Sequence, residues 1–181
     1  MKKLYPFLLV LLPSIACAQA EYENPTFQTP PPPPKTYDTH AFYGEIEGPS
    51  MALSVNYDAR FSRSNNNGLG FRLGIGYNLG IDPNIVTVPV GLNYLAGHGG
   101  HFFELGSGVT FMDIRGLDAN HRYTIGTRTY DSPGNHYFEN MVIGYRWQPR
   151  LGGFDFRAGL APYIGDGAGG ILPYLSFGFN F

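Results

Sequence analysis

The chain has 181 residues, enough for one ordinary domain, and a formal net charge of −2 that offers a nucleic acid no basic surface. Charged residues make up 14%, aromatics reach 15% and glycines number 25, a mixture poor in helix formers and rich in turn and strand formers, which excludes an all-α domain. At 43% apolar residues the chain is too hydrophobic to be disordered throughout.

Residues 1–20 read as a secretory signal peptide: Lys2 and Lys3 precede an apolar stretch from Leu4 to Leu12, and Ala18-Gln19-Ala20 has the small-x-small form of a cleavage site. The apolar stretch is interrupted by Pro6 and Pro13 and falls short of the ~20 residues a transmembrane helix needs. Cleavage would remove Cys17, the single cysteine, and with it any disulfide or thiol chemistry. In an alternative reading Ser14-Ile15-Ala16-Cys17 is a lipobox lacking its usual Leu, and Cys17 becomes a lipidated first residue. Residues 21–40 form a tail in which Pro25 and the run Pro30 to Pro34 favour an extended polyproline spacer.

From Ala41 to Phe181 the pattern is period-2 alternation punctuated by Gly, Asn, Asp and Pro, predicting strands near 41–47, 51–61, 69–79, 85–95, 102–113, 136–147, 153–161 and 171–181. The second sets Leu53, Val55, Tyr57 and Ala59 against Ser54, Asn56, Asp58 and Arg60; the third sets Phe71, Leu73, Ile75 and Tyr77 against Arg72, Gly74, Gly76 and Asn78. Later strands repeat the division, with Phe103 and Leu105 against Glu104 and Gly106, Tyr145 and Trp147 against Gly144 and Arg146, and Phe154 and Phe156 against Asp155 and Arg157.

In a soluble sandwich the apolar face would be the core and the polar face would meet water, which alternation alone fits equally well. Three details favour the inverse, a transmembrane barrel with the polar face inside. Charges on that face nearly balance, with Glu45, Glu47, Asp58, Glu104 and Asp155 facing Arg60, Arg72, Arg146 and Arg157, and lysine is absent after Lys35. Glycine crowds the same face, leaving room for long Arg and Glu side chains in a narrow lumen plugged by ion pairs. Aromatics gather near strand ends on the apolar face, as interfacial girdles do, and the strand interiors are expected to carry no charge there.

The segment from 41 to 181 resembles the small eight-stranded outer-membrane β-barrels of the OmpA and OmpX type, an all-β, closed, up-and-down antiparallel fold. The ending Pro173-Tyr174-Leu175-Ser176-Phe177-Gly178-Phe179-Asn180-Phe181 resembles the C-terminal insertion signal of that group. The resemblance implies that Tyr174, Leu175, Phe177, Phe179 and Phe181 are read by the barrel-assembly machinery. It also implies location in the outer membrane, both termini in the periplasm, short turns at 62–68, 96–101 and 148–152 on that side, and the long connection 114–135 outside. Gly48-Pro49-Ser50 would be a very short outer turn.

Chemistry-bearing residues are sparse. His136 and Glu139, with Ser107 or Ser132, could be assembled into a lipid-modifying hydrolase, but no His-x-Ser pairing like that of a lipid A deacylase is present, and no catalytic residues are assigned. His98 and His101 flank a glycine pair without a third ligand, so no metal or other cofactor is expected. The outer loop is the best functional surface, since His121 to Tyr130 can extend as a hairpin. Its expected contacts are Arg115, Arg122, Tyr123, Arg128 and Tyr130, with lipopolysaccharide phosphates and outer-membrane lipid favoured over a surface protein that adds a strand. The sequence therefore predicts a structural or adhesive barrel with a charge-plugged lumen, the alternatives being a lipid A acyl-modifying enzyme and a narrow channel for small solutes.

Overall fold

The computed structural model describes residues 38–62, 65–79, 84–115, 123–125, 128–130, 133–149, 151–165 and 168–181. The expected signal peptide with Cys17, nearly all of the proline-rich tail, Arg122 and Ser132 lie outside the described residues. In chain order the strands are β1 (His40–Glu47), β2 (Ala52–Arg60), β3 (Gly68–Tyr77), β4 (Asn84–His98), β5 (His101–Arg115), β6 (Tyr123–Ile125), β7 (Arg128–Tyr130), β8 (Gly134–Trp147), β9 (Gly153–Gly165) and β10 (Ala168–Asn180).

Eight of them close a barrel in the order β1-β10-β9-β8-β5-β4-β3-β2, every pair antiparallel, while β6 and β7 form a two-stranded sheet of their own. Closure is made by β1, whose Phe42 lies opposite Tyr57 of β2 on one side and Phe179 of β10 on the other, so the main sheet has no free edge. One end of the barrel gathers the start of β1 and the C-terminus, where His40 and Phe181 exchange backbone hydrogen bonds of 3.2 and 2.9 Å, together with the connections 61–67, 99–100 and 148–152. The opposite, loop end carries the connections 48–51, 78–83, 116–133 and 166–167.

The eight barrel strands coincide with the eight expected from alternation, but their lengths differ. β4 and β5 run on until only Gly99 and Gly100 separate them, with φ of 66° and 92°, the left-handed pair that a two-residue hairpin needs. His98 and His101 are therefore paired strand residues directly opposite one another rather than members of a loose turn.

The first hairpin departs more sharply from expectation. Gly48–Ser50 is not an outward turn but a buried 3-10 turn folded into the loop-end mouth, close to β2, β3, β4, β8, β9 and β10. Glu47, Gly48 and Met51 take φ of 61°, 65° and 55°, reversing the chain inward and then out again, and Glu47 is consequently exposed at the rim instead of joining the interior charges. Gly48 is needed twice over, for its positive φ and because a Cβ there would stand 2.7 Å from the Cβ of Tyr174. The Thr110 hydroxyl donates to the Pro49 carbonyl at 2.7 Å and the Ser50 hydroxyl donates to that of Ser54 at 3.0 Å, which fixes the turn as a stopper.

Prolines sit where the ladder is open. Between β3 and β4 the pairing stops at Leu73 with Val90 and resumes at Gly76 with Thr87, leaving a gap beside Pro89. Between β8 and β9 it stops at Asn140 with Tyr163 and resumes at Ile143 with Leu160, leaving a gap beside Pro162. Each proline lacks the N–H its neighbour would accept.

Candidate functional site

Alternation and closure together decide what faces the axis. The described interior holds four guanidinium groups, Arg60, Arg72, Arg146 and Arg157, and four carboxylates, Glu45, Asp58, Glu104 and Asp155, all buried. The inward positions around them are largely small, among them Gly70, Gly74 and Gly76 of β3, Gly106 and Gly108 of β5 and Gly144 of β8, which is why the long charged side chains fit.

Asp58 is the hub. Its carboxylate lies 2.8 Å from Arg60, 3.0 Å from Arg146 and 3.5 Å from Arg157. Asp155 accepts from Arg157 at 2.8 Å and from Arg146 at 3.3 Å, and Glu104 stands 3.8 and 3.9 Å from the same two arginines. Arg72 and Glu45 form a looser pair at 3.9 Å towards the other side of the lumen, where the Ser176 hydroxyl approaches Glu45 at 3.5 Å. Each charge thus meets an opposite charge, as an ion in a water-poor interior must.

Two neutral residues, Asn93 and Tyr43, complete the cluster. The amide of Asn93 donates to Asp58 at 2.5 Å and to Glu104 at 2.9 Å, and its carbonyl oxygen accepts from Arg60. The Arg157 guanidinium lies 3.7 Å above the Tyr43 ring, a cation–π contact. Tyr174, which the resemblance implies is part of the C-terminal insertion signal, is buried inward as its alternation with Leu175, Phe177, Phe179 and Phe181 leads one to expect, and those four face outward. The cue to Asn93 and Tyr43 in the sequence is parity, since each occupies an inward position of its strand.

Apolar side chains close both ends of the polar column. Leu95 and Phe102 are buried near the turn end, and Ile85, Met112, Ile114, Phe138 and Tyr163 near the loop end. The inward face is therefore less uniformly polar than the mid-strand pattern suggests.

The Tyr174 ring is accommodated by glycines. A Cβ on Gly144 would lie 2.2 Å from the Tyr174 hydroxyl oxygen and 2.6 Å from the Ala158 carbonyl; one on Gly159 would lie 2.8 Å from the ring and 2.6 Å from the Cα of Gly144. Gly144→Ala is expected to cost about 1–3 kcal/mol through overpacking. Tyr174→Phe, which removes the hydroxyl, should recover part of that loss for Gly144→Ala and none for Gly159→Ala. Urea unfolding of the refolded barrel measures both, and an unchanged midpoint for Gly144→Ala would contradict the packing described.

The outer face carries the large apolar residues. Val55 is 61% exposed, Ile75 60% and Phe42 53%, and Phe154, Phe156 and Phe177 make ring contacts at 5.5–6.1 Å beside the turn end. Two His–Tyr pairs tie the same rim, His40 to Tyr57 and His101 to Tyr145, each 2.6 Å between Nδ1 and the hydroxyl. Contrary to expectation, this face does carry a charge inside a strand: Glu139 of β8 is exposed, opposite Val109 and Ile164 and two residues from the outward Tyr137. The reason is that β8 continues five residues beyond Glu139 towards the loop end, so the residue sits within the strand and not past it.

The same parity separates the parts of the hypothetical hydrolase. Ser107 and Glu139 are both exposed on the outer face, on neighbouring strands, while His136 takes the inward parity of β8. The geometry does not assemble a Ser–His–Glu set from them. Among the described residues no group of three or more His, Cys, Asp or Glu is arranged to hold a metal ion.

Of the expected loop contacts, Arg115 ends β5 on the outer face, its Nε donating to Asp113 at 2.6 Å. Tyr123, Arg128 and Tyr130 belong to the β6–β7 hairpin, where Tyr123 pairs with Tyr130 and Ile125 with Arg128 through the backbone; their side chains lie outside what is described.

No protein-family model matches the chain, and no curated protein matches it. Among solved structures the chain is similar to the N-terminal β-barrel domain of Pseudomonas aeruginosa OprF, with 14% sequence identity and a TM-score of 0.55 over 81% of this chain and 100% of that one. The likeness is one of fold, and it agrees with the small-barrel architecture that the sequence resemblance implies.

Proposed function

We propose that the chain is an integral outer-membrane barrel with an interior closed by ion pairs, serving a structural or adhesive role through the segment 114–135 at its loop end. The observation that carries this reading is inverted polarity: charges and amides are sealed within a closed barrel, and Phe, Leu, Ile and Val are turned out all round it. Water is a poor solvent for that surface and hydrocarbon a good one. The eight-strand parity supports termini in the periplasm and the loop end outside, with outer-membrane lipid and lipopolysaccharide as immediate partners, the assembly machinery as a transient one and a surface protein as a candidate for the loop.

Heat-modifiable gel migration of the protein from isolated outer membranes tests the reading. A compact species before boiling and a slower one after it are expected. Recovery as a soluble protein without that shift would overturn it.

The β6–β7 hairpin belongs to a sheet separate from the barrel wall, so its removal should be neutral for the fold. Replacing residues 116–133 by a short turn is expected to leave the unfolding midpoint in urea unchanged and to abolish surface adhesion in a cell-binding assay. Loss of the folded barrel would show that the connection helps hold β5 to β8.

A further inference from the structure

Two depressions on the outer surface lie on either side of Val88, which lines both. The one nearer mid-barrel, about 420 Å³, lies among Phe42, Tyr57, Leu73 and Ile75, with Val55 and Val88 as its short walls. The other, about 280 Å³, has Val86, Val88 and Phe111 towards mid-barrel and Asp113, Asn135 and His136 towards the loop end. Their shape follows from the sequence. Valine side chains stop short between longer aromatic and leucine neighbours, and the ladder between β3 and β4 is open beside Pro89, next to the shared Val88.

Side by side across Val88 the two depressions make a track graded in polarity, lined mainly by apolar residues, with Asn56, at one end and carrying Asp113, Asn135 and His136 at the other. At and just beyond its polar end, Asp113 and Arg115 take the last two outward positions of β5, and with the Arg115 side chain 74% exposed and its Nε on Asp113, the terminal nitrogens remain accessible to an anion. Asn135, exposed on the adjoining β8 strand opposite Asp113, adds an amide that can donate to and accept from a hydroxyl.

We propose that this track binds one molecule of lipid A from the leaflet at the loop end: an acyl chain lies in the valine-walled groove, Arg115 holds a phosphate, and Asn135 meets the sugar. The proposal rests on the membrane reading above and on the loop end facing outward. It commits to a phosphorylated sugar lipid because the polar end pairs a guanidinium with an amide suited to hydroxyls, a combination that a glycerophospholipid headgroup without a sugar uses only in part.

The test is native mass spectrometry of the full chain, folded in detergent and offered lipid A, dephosphorylated lipid A or phosphatidylglycerol, with heat-modifiable migration run on each sample. One retained lipid A is expected, with weaker retention of the other two. Val88→Trp, which fills the shared wall, should lower retention about tenfold, and Val55→Trp should do the same from the opposite wall if the first variant folds poorly. Arg115→Ala should weaken lipid A while leaving dephosphorylated lipid A unchanged. Equal retention of lipid A by the wild type and a folded tryptophan variant, or phosphatidylglycerol held as well as lipid A, overturns the proposal while a positive heat shift leaves the membrane reading standing. Absence of the heat shift in the wild type removes both.

Discussion

Asp58→Ala is expected to cost the barrel about 3–5 kcal/mol of unfolding free energy, because it leaves buried charges uncompensated. Arg60, Arg146 and Arg157 all lie within 3.5 Å of this carboxylate, and only Glu104 and Asp155 would remain among them. Three guanidinium groups converging on the same space would then repel one another in a medium that screens them poorly. Asp58→Asn keeps an acceptor for Arg60 and removes the charge, so it should be destabilising for the electrostatic part alone. The sharper measurement is a double-mutant cycle with Arg60→Gln, in which removing one charge of each sign should cost less than the two single losses combined. Urea titration of the protein refolded into lipid vesicles supplies all four values. Strict additivity would show that the carboxylate and the guanidinium do not share a network, whatever their 2.8 Å separation.

The second large effect belongs to the opposite face. Leu160 lies midway along β9, is 50% exposed, and sits opposite Ile143 of β8 and Pro173 of β10. If that face is solvated by hydrocarbon, Leu160→Arg should destabilise the inserted barrel by about 2–4 kcal/mol, the cost of a guanidinium near the bilayer midplane. If that face met water, the same change would be neutral, since exposed substitutions away from special features usually stay within about 0.5 kcal/mol. Glu139 supplies an internal control, because it already places a carboxylate on this face nearer the loop end. Glu139→Arg should therefore cost far less than Leu160→Arg, and equal costs at the two positions would refute a depth-dependent apolar environment.

These expectations rest on unequal shares of sequence and structure. Period-2 alternation was sufficient to name eight strands and to sort Arg60, Arg72, Arg146 and Arg157 from Leu73, Tyr145 and Phe154, because side-chain direction in a strand depends only on whether a position is odd or even. The inward position of Tyr174 follows from the same rule, even though its segment resembles an insertion signal. Parity also determines that His136 and Glu139 of one strand face opposite ways, a conclusion available from residue numbers alone.

What alternation could not decide is anything that depends on distance across the lumen or on backbone reversal. That Asn93 bridges Asp58 and Glu104, from a strand remote from Asp58 in sequence, requires the register of β2, β3, β4 and β5 around a closed wall. That Gly48–Ser50 enters the mouth instead of leaving it depends on positive φ at Glu47 and Met51, residues whose types do not advertise that conformation. Local periodicity is enough to settle the strands and their two faces and to bring most of the lumen charges together on one of them, with Glu47 the exception. Which charges meet, which glycines make room for Tyr174, and how the loop-end mouth is stopped depend on closure of the barrel, which brings together residues that no local pattern relates.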